Sequence, residues 1–389
     1  MSKPFFVTAL FFALLALLMA VDAALNALGL LPTFVGLRWL RVHFITLGVM
    51  AEALFGVLVA WAAARAGKTA ERPGRTLLVW VLFNLGLAGL MVGIPSVNPP
   101  MILFGGTLIM VDVGILTWLV LRSRGGVAAS PALGFHIAGL LFLFIGALLG
   151  TGMWLGWSAP LGVHNALEAH IHANNWGFMG LVFAGLLVEF YPAITGKDVA
   201  WPRLRPLLLA ALSLGALLLV LGPWLGNNDL VMPGIALYLL STLVFLASLV
   251  KPILGERAAW SPGMWHLLSA YVWILLPVVS APLLLLGVLQ VPLADVEASA
   301  PQALIYGWVF QVGYALIPWA IQRARHPEKS ATLGGCWGGL VAVTLGGVCL
   351  WLSIFNPGLA GPLRGAAYGL WGLSMLPFIR DTARALDVC

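Results

Sequence analysis

The stretch VHNALEAHIHANNWGFMGLVFAGLLVEFYP, residues 163–192, decides how the rest of the chain is interpreted. It is long and apolar enough to cross a membrane as one helix, yet it holds His164, His170 and His172, three of only seven histidines. Ionisable or metal-binding side chains are costly inside a bilayer and usually mark a functional site. A single intramembrane His can also simply hydrogen-bond a neighbouring helix. Three on one segment favour a functional site.

The spacing of the last two histidines predicts where they point. An α-helix turns about 100° per residue, so the side chains of His170 and His172 leave the helix about 160° apart. We therefore expect the two imidazoles to point towards two different neighbours, so that one helix presents an imidazole to each of two flanking cavities.

Composition identifies the class of protein. The chain is 61% hydrophobic and 9% charged, which is typical of a polytopic helical membrane protein and not of a soluble domain. Membrane lipid is therefore an expected partner. The net charge of +6 gives no reason to expect a nucleic-acid partner. The three cysteines do not have the spacing of a metal site, and we assign them no role.

Apolar runs of spanning length predict twelve transmembrane helices joined by short loops rich in Pro, Gly and Asn. No stretch is long or polar enough to form a separate soluble domain, so residues 1–389 form a single transmembrane domain. The predicted spans are 5–27, 37–65, 75–95, 100–121, 130–155, 163–191, 204–226, 229–250, 262–287, 302–322, 332–355 and 360–380.

The distribution of basic residues predicts the orientation. With the N-terminus inside, 17 of the 20 Lys and Arg residues fall at the inner ends of the spans, and only Arg38, Arg41 and Arg364 fall outside. The positive-inside rule favours this topology. We expect a multi-pass protein of a prokaryotic inner membrane with both termini in the cytoplasm.

An internal repeat is also predicted. His43, His172 and Gln302, in the second, sixth and tenth spans, follow one another at a nearly constant interval of one third of the chain. Each is followed five residues later by a glycine. His136 and His266 are separated by the same interval. These spacings predict three pseudo-repeated four-helix units, about 1–129, 130–259 and 260–389.

The segment Ala169-His170-Ile171-His172, with Tyr191-Pro192 closing the same span, resembles the AHxH helix of the catalytic subunits of haem-copper oxidases and nitric oxide reductases. The resemblance implies a haem-copper-oxidase-like fold of twelve helices in a pseudo-threefold arrangement. It implies haem b, one or two, with His170 on a reactive haem and with His43 and His172 as the axial ligands of a six-coordinate haem. The chain is also similar to the haem-binding NnrS-type proteins linked to nitric oxide metabolism.

Two features differ from that family. The histidine pair lies in the sixth span rather than the tenth, where Gln302 stands, and there is no adjacent-His pair for a second metal. An alternative assignment with permuted roles makes His43 a ligand of that second metal. We expect no complete haem-plus-copper centre and at most slow gas reduction. Gln302 can alternatively cap a helix that begins after Pro301.

Further residues are candidates for metal binding or for a proton path. Copper is a further candidate metal, with His164 added to His43, His170 and His172 as ligands. His164 and Asn165 open the sixth span, and the alternative role there is to cap the helix. His136 and His266 are lesser metal candidates, and their position near the inner surface favours a structural role. Glu168 and Glu52 are candidates for a proton path.

The expected function is a haem-binding integral membrane protein that handles electrons or a diatomic gas, NO or O₂. As an enzyme it would be a membrane oxidoreductase, similar to a nitric oxide reductase or terminal oxidase, with quinol or a cytochrome as electron donor. The alternative from a different class is a non-catalytic copper or haem binding or transport protein.

Overall fold

A computed structural model describes residues 2–32, 36–67, 73–123, 130–326 and 329–388, and all regular structure in these ranges is helical. Eleven of the described helices are long and apolar enough to cross a membrane, which confirms an all-α multi-pass membrane protein. They are α1 (Lys3–Ala27), α2 (Leu37–Arg65), α3 (Pro73–Gly93), α4 (Pro99–Arg122), α5 (Leu133–Leu155), α6 (Ala166–Thr195), α7 (Pro202–Leu225), α8 (Asn228–Ile253), α9 (Pro262–Leu285), α10 (Ser299–Arg325) and α11 (Trp337–Phe355).

A twelfth long helix, α12, occupies Ala360–Ala385, where the twelfth span was predicted. Its 26 residues are long enough, but several glycines, Pro377 and Arg364 make it less apolar than the other eleven. It is not among the helices that meet both requirements for a span. The twelfth crossing therefore stays a prediction.

The described helices form two compact units. The first is Val57–Glu256, and the second combines Ser2–Gly56 with Arg257–Cys389. The histidine-rich helix α6 belongs to the first unit, and His43 belongs to the second. The predicted single domain and the bounds of its three pseudo-repeats stay predictions.

Three of the described helices contain a π-helical segment, which is rare in proteins and often marks a functional site. The segments follow one another at an interval of one third of the chain, which matches the period predicted from the sequence. Two of them begin directly after His43 and His172. They are Phe44–Ala51 in α2, Ala173–Met179 in α6 and Leu304–Phe310 in α10.

Each π-helical segment contains a glycine that packs against an aromatic ring of the preceding long helix. A Cβ atom added to these glycines would lie 2.4, 2.3 and 2.5 Å from the nearest ring atom. The pairs are Gly48 with Phe12, Gly177 with Phe142, and Gly307 with Trp273. The three rings are spaced along the chain at the same interval as the glycines, so the same local packing recurs three times. This recurrence supports the repeat that the glycine spacing predicts.

Candidate functional site

The helix that carries the histidine pair begins at a capped N-terminus. Asn165 is the N-cap, and its Oδ1 accepts a hydrogen bond from the Glu168 backbone N–H at 3.1 Å. The Asn165 amide also donates to the Glu168 carboxylate at 3.0 Å. These contacts give Glu168 a structural role at the helix start, whereas its predicted place on a proton path stays a prediction. His164 precedes the cap, is exposed, and lies over Gly226.

His170 is half-buried and faces α5. Its Nδ1 lies 2.8 Å from the carbonyl oxygen of Gly146. A carbonyl oxygen can only accept, so a hydrogen bond to Gly146 requires the proton on Nδ1 and leaves the lone pair on Nε2. The Asn174 amide nitrogen lies 3.2 Å from the same Nδ1, farther than the carbonyl oxygen. The ring fits against Gly150, where an added Cβ would lie 2.7 Å from the imidazole Cε1. Asn174 donates to the His170 backbone carbonyl at 2.9 Å and supports the start of the π-helical segment.

His172 is also half-buried, but it faces α7. Its Nδ1 lies 2.6 Å from the carbonyl oxygen of Leu219. In a regular α-helix that oxygen would accept from the backbone N–H four residues later, but this position is Pro223, which has no N–H. The proline therefore leaves an acceptor for the imidazole, and His172 also carries its lone pair on Nε2.

The two rings thus contact different helices, as the two-residue spacing predicted. His170 is held by α5 and His172 by α7. Each imidazole is fixed in the same tautomer by a backbone carbonyl. This is the arrangement by which proteins orient a metal-binding histidine, since the hydrogen bond at one nitrogen aims the other at the metal.

His43 shows the same chemistry in the second unit. Its Nδ1 lies 2.8 Å from the carbonyl oxygen of Trp39, one turn earlier on α2. The imidazole also stacks on the Trp39 indole, with ring centroids 4.0 Å apart and planes 13° from parallel. The predicted sharing of one haem by His43 and His172 stays a prediction.

His136 and His266 are both fully buried. His136 packs edge-on against Trp61 at 4.9 Å, and neither of its ring nitrogens has a hydrogen-bond partner among the described residues. His266 lies 3.1 Å, through Nε2, from the backbone carbonyl of Cys336. That hydrogen bond holds α9 to the start of α11 and is consistent with the predicted structural role of His266.

No three His, Cys, Asp or Glu side chains within the described ranges come together in an arrangement that could hold a metal ion. A haem makes a smaller demand on the protein, because the porphyrin supplies four nitrogens and the protein adds one or two axial ligands. A single oriented imidazole is therefore sufficient on each side of the iron. His170 and His172 fit this requirement by tautomer and by partial burial.

The described spans contain acidic side chains that are buried or partly buried, at Glu52, Asp112 and Glu189. Glu52 is fully buried directly after the π-helical segment of α2. Glu189 forms an ion pair with Arg65 and accepts from Ser130 at 2.7 Å. Asp112 is fully buried in α4 and was missed by the sequence analysis. The sequence does indicate Asp112, because a single acidic residue inside an apolar run is unusual.

The capping interpretation of Gln302 is wrong. The helix extends beyond the N-terminal end of the span α10, since its first residue is Leu293, and it continues past Pro301, so Gln302 lies inside the helix. It is buried, with 4% exposure, and its Oε1 has no hydrogen-bond partner among the described residues. Gln302 thus places a buried amide two residues before the third π-helical segment, whereas an imidazole directly precedes each of the other two.

Comparison of the chain with protein-family models and with curated proteins gives no match.

Proposed function

We propose that this chain is a haem-binding integral membrane protein that handles electrons or a diatomic gas, with His170 and His172 as axial ligands. A bound haem b would supply an iron that accepts an electron or binds NO or O₂. The observation that carries the proposal is the pair of tautomer-fixed imidazoles on α6, held through Nδ1 by Gly146 and Leu219.

The chemistry of these side chains favours iron over a purely structural role. An axial ligand needs one ring nitrogen that the protein holds and orients, and the carbonyls of Gly146 and Leu219 provide this at Nδ1. Burying two imidazoles in a membrane helix is costly, and metal binding would offset that cost. The π-helical segment that follows His172 is the kind of distortion often found at functional sites.

The wider assignment rests on the resemblance of the AHIH segment to haem-copper oxidases and nitric oxide reductases. We extend the proposal to a haem-copper-oxidase-like arrangement of three four-helix units in a prokaryotic inner membrane, with both termini cytoplasmic. Quinol or a cytochrome would be the electron donor. The threefold recurrence of π-helical segments and of glycine–aromatic contacts supports that arrangement.

Haem and metal analysis of the purified protein tests the proposal. The pyridine haemochrome spectrum should show one or two haem b per chain, and the double variant His170→Ala/His172→Ala should lose haem. His326→Ala is the matched control, because His326 lies just after the last helical residue of α10. A haem-free protein that binds only copper would overturn the proposal in favour of a transport protein.

A further inference from the structure

A surface groove lies between the first turns of α3 and the last turns of α4. Its volume is about 500 Å³, and it is lined mainly by apolar side chains, among them Leu78 and Ile115. Gly114 lines the groove without a side chain, and the space that its Cβ would occupy is open, with no atom within 4 Å. Trp118 forms one wall and is 45% exposed.

The packing of the two helices explains where the groove opens. At the other end of the pair the backbones touch, because a Cβ on Gly89 would lie 3.1 Å from the Gly105 Cα, and one on Gly105 only 2.6 Å from the Gly86 oxygen. Small residues allow such close approach of membrane helices. The groove opens in the half of the pair that lacks these contacts.

Two arginines flank the same indole at the groove. The guanidinium carbon of Arg75 lies 5.7 Å from the Trp118 ring centroid, and that of Arg122 lies 4.6 Å from it. Arg75 also lines the groove, and the other described lining residues are apolar side chains and one glycine. The site therefore combines an apolar channel with two guanidinium groups at one end.

We propose that this groove binds an anionic phospholipid, with its phosphate at Arg75 and Arg122 and an acyl chain lying over Gly114. Guanidinium groups bind phosphate oxygens in bidentate pairs. The positive-inside prediction puts this end of α3 and α4 at the cytoplasmic surface, where basic pockets between helices bind anionic headgroups. A tryptophan at the same level is typical of the membrane interface.

Lipid retention by the purified protein tests the headgroup contacts. The protein is equilibrated with equal amounts of dioleoyl-phosphatidylglycerol and dioleoyl-phosphatidylcholine, and the bound lipid is counted by native mass spectrometry. We expect preferential retention of phosphatidylglycerol. Its affinity should fall roughly five-fold for each arginine replaced in Arg75→Gln and Arg122→Gln. The double variant Arg203→Gln/Arg257→Gln, at exposed positions outside the groove, is the matched control and should retain lipid as the unaltered protein does.

A second variant tests the channel without changing charge. Gly114→Leu should fill the groove and lower phosphatidylglycerol retention, whereas Gly369→Leu, at another open helical position, should leave it unchanged. Equal retention of the two lipids would overturn the proposal. So would displacement of the lipid by millimolar inorganic phosphate alone, because the site would then recognise an anion without its acyl chain. Thermal unfolding of each variant confirms that it is folded before lipid is counted.

Discussion

The Nδ1 atom of His172 lies 2.6 Å from the carbonyl oxygen of Leu219, on a different helix. Pro223 frees this oxygen from the ordinary helical hydrogen bond because it has no N–H to donate. A proline near the end of one helix thus determines which ring nitrogen of a histidine on another helix carries the proton. This relationship makes the tautomer of His172 testable by substitutions outside the site.

Pro223→Ala should weaken haem binding at His172. The alanine N–H would compete for the Leu219 carbonyl, so the imidazole would be less firmly oriented. Complete loss of a hydrogen bond that supports a metal ligand typically lowers metal affinity ten-fold or more. Here the hydrogen bond is only weakened by competition, so we expect haem affinity to fall roughly ten-fold. Haem titration of the protein depleted of haem measures the change. Pro233→Ala in α8 of the same unit is the matched control, and equal affinities for the two variants would contradict the proposed role of Pro223.

His172→Ala should abolish the sharp α and β absorption bands of a reduced six-coordinate haem. Removal of one axial imidazole leaves the iron five-coordinate, which changes its spin state. His43→Ala should have the same effect, as the resemblance to haem-copper oxidases implies. Optical spectra of the dithionite-reduced variants and of the unaltered protein compare the α and β bands. Unchanged bands in either variant remove that histidine from the axial position.

His170→Ala should leave the six-coordinate spectrum intact and remove the binding of CO and NO. His170 is held by the Gly146 carbonyl on α5 and faces away from the partner of His172. A gas needs an open axial position, which a haem with a single histidine ligand provides. CO difference spectra of the reduced variant measure this. Loss of all haem from His170→Ala would show instead that both histidines serve one site.

Gly177→Ala should destabilise the protein by about 1–3 kcal/mol, because the added methyl would overlap the Phe142 ring. Its Cβ would lie 2.3 Å from the nearest ring atom. Gly369→Ala, which meets open space, should be neutral or stabilising by up to about 1 kcal/mol. Chemical unfolding in detergent compares the two. Adding Phe142→Ala to Gly177→Ala should relieve the overlap, and an unchanged stability of Gly177→Ala would refute the close packing.

Glu189→Gln should destabilise the first unit more than Glu256→Gln does. The Arg65 and Glu189 side chains are 28% and 11% exposed, whereas those of Lys197 and Glu256 are 39% and 48% exposed. Breaking a fully buried pair costs about 3–5 kcal/mol, and the partial exposure here reduces the expected cost to about 1–3 kcal/mol. The exposed pair should contribute less than about 1 kcal/mol. Thermal unfolding measures both, and equal losses would contradict the burial argument.

The helical architecture was predictable because it depends on local composition. A helix that crosses a bilayer must satisfy its own backbone hydrogen bonds and present about twenty apolar residues, so spans appear directly as apolar runs. The second predicted span, 37–65, coincides with Leu37–Arg65. The opposed directions of His170 and His172 followed from helical geometry alone.

Other features depend on contacts between distant residues, and the sequence by itself did not determine them. The π-helical segments have no local sequence signature, although their glycines did indicate a period of one third of the chain. The alternative that Gln302 caps a helix was based on Pro301, which favours a helix start, yet the chain continues helically through this proline.

The apolar runs determined that this chain forms membrane helices, and the histidine spacing determined that one helix offers imidazoles in two directions. Only the tertiary structure decided which nitrogen each imidazole would present. The tautomer is set by the acceptor that a neighbouring helix brings within hydrogen-bond distance, and the oxygens of Gly146 and Leu219 are brought there by packing across many residues of chain.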